Sequence, residues 1–506
     1  MSDIKYQEIL LSRMHDITIR YGEKLAIREH DLECSYKEFS DLIGYLSNQL
    51  NDLDLESYET IGLLLKRSAL SYATMWACIS VGRAFVSINP TYPHSRLRSI
   101  IDQGNIGSIV CTEDLKIQAE ELGFKEHNIV LAVPPARLPT IIGDEIQWWI
   151  RTENKNIAYQ IFTSGSTGTP KGVPISYSNL LAFINNMQRV IPYLESDNCS
   201  QVCELSFDVS IHEIFLSLLN GCTLHPARDI DLYNPASFIA RWSITVWVSV
   251  PTLTKLVLNN GVPTDQKLKS IRLSIFNGES FTNSLARKWH SEIPHAEIWN
   301  TYGPAECTVA VTAQSWSPDI DRSEAGVVAI GVPFDDCEAG LLVDNEIVAT
   351  RTAKENIKGE LVLATPQRFK GYTDQSLSSP FESDNTGKSY YRTGDLALWR
   401  SNLLFYMGRV DHQVKINGHR IEILEVESRY RICLKSENIA VVASPQEHPT
   451  ELVLFTLENE QCHAVDNQIL GLPAYMIPKR RIAIESLPLN SNGKLDRIKL
   501  QQLAAK

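Results

Sequence analysis

The sequence predicts an α/β protein in which a large domain of layered α/β subdomains precedes a small α+β domain. Helix-period and strand-period segments alternate through roughly the first 150 residues, the pattern of α/β layers. The 506 residues exceed one ordinary core, so a large domain with subdomains and a smaller partner is expected. Several apolar runs end in polar or glycine-containing loops, and loops at the carboxyl ends of parallel strands are where open α/β sheets bind ligands.

Composition is that of an ordinary globular protein, with 43% hydrophobic and 21% charged residues. A net charge of −12 with scattered basic residues argues against nucleic acid as a partner. The opening Met-Ser-Asp-Ile-Lys lacks a basic-then-apolar signal, and no apolar run approaches the ~18 residues that span a bilayer. No membrane insertion and a cytoplasmic location are expected. Ten cysteines without a Cys-x-x-Cys pair suit small buried hydrophobes in a reducing compartment.

Taken in order, Ser35 is a plausible N-cap for an amphipathic helix through Phe39, Leu42, Leu46 and Leu50. Ile61–Leu65 and Ala84–Ile88 read as strands around a helix over Ala69–Val81, and Asn89–Pro93 as a turn. Ile157–Phe162 reads as a buried strand. Leu180, Phe183, Ile184, Met187 and Ile191 then mark one helix face.

Between that strand and helix lies Thr163-Ser164-Gly165-Ser166-Thr167-Gly168-Thr169-Pro170-Lys171-Gly172. Backbone N–H groups, hydroxyls and a lysine in one loop can wrap phosphate oxygens. A flexible linker has similar composition but needs no lysine between two apolar segments. The P-loop of NTPases requires Gly-x-x-x-x-Gly-Lys-Ser/Thr, and Pro170 and Gly172 around Lys171 break that spacing.

Farther on, Ile211, Ile214, Phe215, Leu218 and Leu219 form a helix face with Asp208 near its start, as cap or ligand. Trp247–Pro251 and Leu273–Glu279 read as strands entering loops, and Asn300–Glu306 as a polar turn after Ala296–Trp299. Asp374–Ser389 has the look of a mobile surface loop. A small βα pattern, with strands at Ile439–Ala443 and Leu452–Leu457, closes the chain.

Together with Tyr391–Leu396, Gly408–Glu422 and Leu487–Arg497, these segments resemble the adenylate-forming superfamily of acyl-CoA synthetases, luciferases and amino-acid adenylation domains. The resemblance spans about residues 35 to 497. Phe207-Asp208-Val209-Ser210 and Tyr302-Gly303-Pro304-Ala305-Glu306 are similar to amino-acid adenylation enzymes. Trp247–Ser249, Asn300–Thr312, Leu403–Tyr406 and Pro473–Pro478 are similar to D-alanine–carrier protein ligases and their glycine-activating relatives.

The resemblance implies an adenylation core at 1–410, a lid at 411–506 and a hinge at Asp411. It implies ATP bound by Thr163, Ser164, Gly165, Ser166, Thr167, Gly168 and Lys171, with Tyr302 against adenine and Asn300 by its amine. Thr301 is shared with the amino-acid pocket, Asp395 takes the ribose, and Arg409 the ribose or a phosphate. Lys494 and Glu306 are the implied catalytic pair, the first bridging carboxylate and phosphate, the second associated with Mg²⁺. Asp208, Val209, His212, Val248, Ile275, Asn277, Thr301, Val309 and Ala310 are the implied amino-acid pocket. Lys415 and Gly418 line the implied thiol tunnel.

A buried Asp208 needs a partner, and a substrate ammonium supplies one, so a small amino acid, glycine or D-alanine, is expected. The sequence departs from D-alanine ligases at Asn277, where they carry cysteine, and from the usual Tyr-Gly-Pro-Thr-Glu at Ala305. The expected acceptor is the phosphopantetheine thiol of a carrier protein in trans, with Lys479, Arg480 and Arg481 as candidate docking residues. Aminoacylation of a cell-envelope polymer or lipid would follow. The alternatives are a stand-alone enzyme of nonribosomal-peptide type for another amino acid, an acyl-CoA synthetase, and an inactive nucleotide-binding homologue.

Overall fold

The computed structural model describes residues 4–53, 60–132, 156–165, 169–259, 268–320, 322–324, 326–353, 355–411, 413–436, 438–446, 449–458, 470–488 and 495–505. Ser166, Thr167, Gly168 and Lys494 therefore lie outside the described residues. Among those described, the two largest parallel-stranded sheets belong to the N-terminal part. One has nine strands, in the order 332–333, 312–316, 297–302, 273–276, 246–249, 198–201, 223–226, 25–28 and 33–35. The other has six, in the order 129–131, 106–111, 60–64, 84–87, 157–163 and 171–176. The helices Ile4–Tyr21, Tyr36–Asn51, Ala69–Ser80 and Tyr177–Val190 contribute buried faces to one apolar core shared by both sheets. The strands Thr60–Leu64 and Leu273–Phe276 are buried at every position, as expected for parallel strands covered on both faces.

Local chemistry explains the helix starts. Ser35 caps Tyr36–Asn51 through the Glu38 N–H, and Glu38 returns the bond to the Ser35 N–H, a complete capping box. Ser176 and Asn179 do the same for Tyr177–Val190. The segment after Asp208 is helical but contains a π turn over His212–Leu216, and its apolar face stays buried.

Three expectations change. The polar turn expected from Asn300 is instead strand as far as Tyr302, in Glu297–Tyr302, paired antiparallel with Thr312–Trp316. Polar residues are tolerated there because their groups are bonded: Asn300 Nδ2 donates to the Ala329 carbonyl at 2.9 Å, and Thr301 Oγ1 to the Phe276 carbonyl at 3.1 Å. Pro251 opens a helix to Asn259 rather than a loop, since proline is preorganised for the first helical position. Within 374–389, Phe381–Ser383 forms a short strand against Ser389–Tyr391.

A third, antiparallel sheet is built on Glu338–Val343, Ile357–Ala364, Ser389–Arg400 and Leu403–Arg409. Beyond it the chain makes a separate small body: the hairpin Gln413–Ile416/His419–Glu422, helices Ile423–Leu434 and Arg497–Ala504, and a three-stranded sheet of 440–444, 451–457 and 480–484. The large core cluster ends at Leu404, and the small body's clusters begin at Ile416. The small body thus packs its own interior and meets the large one through polar contacts and an aromatic seam.

Candidate active site

Residues after the carboxyl ends of parallel strands from both sheets line one cavity of about 1050 Å³. Thr163 ends and Ser164 follows the strand before the glycine loop, Val250 and Asn277 follow two neighbours in the nine-stranded sheet, and Ala305 lies just beyond the strand ending at Tyr302. Parallel strands aim their termini the same way, which is why loops far apart in sequence meet here.

Of the residues singled out in the sequence, Thr163, Ser164, Asp208, Val209, Asn277, Asp395, Arg409, Lys415 and Gly418 line this cavity. Asp208 caps no helix N–H with its side chain. Burial pushes its carboxyl up to about 6, Glu306 adds to the rise, and Lys415 opposes it. It is an acid short of a cation. Lys415 lies 5.7 Å from the centre of the Tyr302 ring, and burial lowers its pKa while Asp395 and Asp208 pull it back.

Tyr302 Oη donates to Asp395 Oδ2 at 2.5 Å, and Arg409 Nη1 to Oδ1 at 2.5 Å. Arg409 also clasps Asp411, through Nε at 2.6 Å and Nη2 at 2.7 Å. These bonds place Asp395 rigidly at the cavity wall with lone pairs left to accept hydroxyl protons.

Several expected pocket residues do not line the cavity. Val248, Ile275, Val309 and Ala310 are buried in the core, while Thr301 and the Val309 carbonyl lie behind Asn277 and accept from its amide. His212 is fully buried, 2.9 Å from Tyr193 Oη and edge-on to Phe183, and burial drops its pKa to about 3. It faces the core because an uncharged imidazole paired to a phenol is stable there.

Glu306 is also fully buried. Burial raises its pKa, but Arg420 and the Tyr372 hydroxyl overcome this and hold it below the usual carboxylate range. Arg420 Nη1 reaches both oxygens, at 2.9 and 3.0 Å. Among the described residues no three or more His, Cys, Asp or Glu side chains form a metal cluster. A divalent cation therefore fits beside Glu306 only with ligands supplied by a nucleotide, and with Arg420 displaced.

The small body covers the cavity. Ser164 Oγ donates to the Arg420 carbonyl at 2.8 Å and accepts from the Glu422 N–H at 3.1 Å. The Gly165 N–H donates to Glu425 at 3.2 Å, Glu425 pairs with buried Arg96, and Lys171 Nζ lies 3.7 Å from Glu422. Gly418 has φ +81° and sends its N–H to Glu279 at 2.7 Å; a Cβ there would come within 2.6 Å of Val250. Gly165 has no room for a Cβ either, which would fall 2.0 Å from the Thr169 carbonyl oxygen. His419 stacks on Tyr475 at 4.0 Å and meets Phe207, the neighbour of Asp208, at 4.6 Å.

Sequence reasoning missed Arg96, Glu279, Glu425 and the Phe207–His419–Tyr475 seam as elements of the site. Glu279 and His419 stood inside quoted motifs, but their partners are distant in the chain. Arg96 belongs to an otherwise unremarked amphipathic helix, and only its burial beside Glu425 reveals it.

The chain is 28% identical over 447 residues to the D-alanine--D-alanyl carrier protein ligase of Bacillus licheniformis, covering 84% of this chain and 86% of the relative. It is 30% identical over 490 residues to the enzyme of the same name from Listeria monocytogenes serotype 4b, covering 92% of each. The Vibrio cholerae adenylation domain AlmE, solved in complex with glycyl-adenosine-5'-phosphate, superimposes with a TM-score of 0.86 at 27% identity, covering 100% of this chain and 98% of that one. No helix among the described residues is long and apolar enough to cross a membrane. Residues 17–373 match the AMP-binding enzyme family, and the loops of that stretch converge with the 413–422 hairpin on a single cavity. The chain belongs to the AMP-binding enzyme family.

Proposed function

We propose that the protein uses ATP to adenylate a small amino acid and passes it to the phosphopantetheine thiol of a separate carrier protein. The observation that carries this reading is Asp208, a carboxylate raised to about 6 by burial on the wall of the cavity. An ammonium is the natural complement of such a group, and organic acids without an amine leave it unpaired.

In the first step a substrate carboxylate oxygen forms a bond to the α-phosphorus as the bond to the β-phosphate bridging oxygen breaks, and pyrophosphate leaves. Asp208 orients the amine. Thr163, Ser164, Gly165 and Lys171 hold phosphate oxygens, with Ser166, Thr167 and Gly168 in the same loop, and Asp395 accepts from the ribose. Negative charge grows around phosphorus, so a positioned cation stabilises the transition state. Lys494 has that role, bridging carboxylate and phosphate. Mg²⁺, when bound, neutralises phosphate charge, and Glu306 would hold it.

In the second step the thiol sulfur bonds to the acyl carbon, the acyl–phosphate bond breaks, AMP departs and the thiol proton is released. The observed lid position suits this step: Lys415 and Gly418 line the cavity, and the backbone of Gly418 packs closely against Val250 at its wall. Rotation near Asp411, between residues 1–410 and 411–506, would bring Lys494 in for the first step and free Glu306 from Arg420. No disulfide joins the described cysteines, which suits a reducing cytoplasm.

Amino-acid-dependent exchange of pyrophosphate into ATP, followed by loading of a phosphopantetheinylated carrier, tests the reading. Exchange is expected with at least one small amino acid; its absence across glycine, both alanines, serine and proline overturns the proposal.

A further inference from the structure

The hairpin Gln413–Ile416/His419–Glu422 turns through two residues, Asn417 and Gly418, between the paired Ile416 and His419. Their φ values of +52° and +81° are the positive pair that a type I′ turn requires. Amides inside so short a turn have no place in the strand ladder, so the tip presents backbone N–H groups outward. The Gly418 N–H meets Glu279 Oε1, in the large body, at 2.7 Å.

Glu279 has a second partner. Its Oε2 accepts at 2.9 Å from the Thr252 N–H, one of the amides that the start of helix Pro251–Asn259 leaves without an intrahelical acceptor. One carboxylate therefore ties a helix start, on one oxygen, to the hairpin tip, on the other. Val250 stands beside both. A Cβ on Gly418 would come within 2.6 Å of its Cγ1, and a Cβ on Gly278, the residue before Glu279, within 3.3 Å. Both glycines have positive φ, and both bare backbones close on the same valine side chain. The seat thus recognises the tip by the missing side chain at Gly418 and by the N–H it carries.

Only one of the two bonds depends on the lid. Thr252 and Glu279 belong to the same body and stay together however the small one moves. Gly418 belongs to the small body, and rotation about the hinge carries it away from Glu279. A carboxylate is a stronger acceptor than a neutral group, so the bond gained on closure is a strong one. We infer that Glu279 is a positioning residue for the transfer step, latching the hairpin tip at Gly418 so that the lid stays where a thiol can reach the adenylate. This rests on the adenylation reading above and on its two lid positions.

The test uses the amino acid with the fastest pyrophosphate exchange, and pantetheine as the thiol. Exchange and single-turnover transfer from the preformed adenylate are measured on the same preparations. Glu279→Ala slows transfer at least about tenfold, and Glu279→Gln, with one acceptor oxygen for two donors, at least about threefold. Exchange stays within about twofold of the wild type in both. Combined with Gly418→Ala, Glu279→Ala slows transfer no more than the slower single variant does, because each unseats the same tip. The readout is the ratio of transfer to exchange, so partial loss of folded material cancels, and if the alanine variant does not fold the near-isosteric Glu279→Gln decides. Equal losses in both half-reactions overturn the inference, as do unchanged transfer in both Glu279 variants, losses that multiply in the double variant, or a wild type that exchanges without transferring to pantetheine. In those cases adenylation itself still stands. A wild type that exchanges with no amino acid removes the adenylation reading, and this inference with it.

Discussion

Glu306, in the large body, takes two hydrogen bonds from a single guanidinium nitrogen of Arg420, in the small one, at 2.9 and 3.0 Å. The pair fixes the covering body over the cavity while occupying the carboxylate proposed for the metal ion. Removing one partner of a buried ion pair costs about 3–5 kcal/mol, and the one-fifth exposure of Arg420 puts it toward the lower end. Arg420→Ala should therefore slow transfer from preformed aminoacyl-AMP to the carrier by about ten- to a hundredfold. Pyrophosphate exchange should change much less, because the first step does not use this pairing. Single-turnover transfer and exchange rates, compared on one preparation, decide it; equal losses would contradict the assignment.

Asp208 gives a pH signature. Its folded pKa, about 6, lies above the ordinary 3.8, so the native state holds the proton more tightly than the unfolded chain does. Ionisation then opposes folding: the penalty is absent below about pH 4, grows between 4 and 6, and is complete above 6. Asp208→Asn should stabilise the substrate-free protein by about 1–3 kcal/mol at pH 7.5 and not at pH 4. The same change should abolish amino-acid-dependent exchange. In the wild type, exchange should decline as pH falls through about 6, where the carboxylate that pairs with the ammonium is lost. Thermal melts at two pH values and an exchange–pH profile check both parts.

Gly418→Ala tests the hairpin. An alanine at φ +81° is strained, and its Cβ would press on Val250 at 2.6 Å. Transfer to the carrier should fall at least about tenfold, with exchange nearly intact. A variant that transfers normally would show that the hairpin does not need this seat.

Lys494→Ala should have the opposite profile. Loss of the bridging cation should suppress exchange by about two to three orders of magnitude, while thiol transfer from supplied adenylate persists. Parallel assays of the two half-reactions are the measurement, and equal suppression of both would remove Lys494 from its proposed role.

Much of the fold was legible because its signals are local. The capping boxes at Ser35 and Ser176, the apolar strands at Ile61 and Leu273, and the glycine loop announce themselves within a few residues. Asn277 and Asp395 were legible as cavity residues because each follows or occupies a strand inside a motif. What stayed hidden was settled by distant partners. Asn300 to Tyr302 read as a turn from their polarity, yet carbonyls at Val328, Ala329 and Phe276 satisfy Asn300 and Thr301 within a strand. His212 had the right position in the chain to face a ligand, and Tyr193 turns it inward. The Arg96–Glu425 and Arg420–Glu306 pairs join residues more than a hundred positions apart, and no spacing rule reaches that far.

The contacts of Glu422 and Glu425 with the glycine loop set an order of events. A carboxylate from the cap now holds the Gly165 N–H, and another lies beside the Lys171 ammonium. Those donors cannot serve an outer phosphate group of a nucleotide at the same moment. On the proposed mechanism, the departing inorganic product would have to vacate its berth before the cap could settle there, which would keep a thiol route closed while the first reaction can still run backwards.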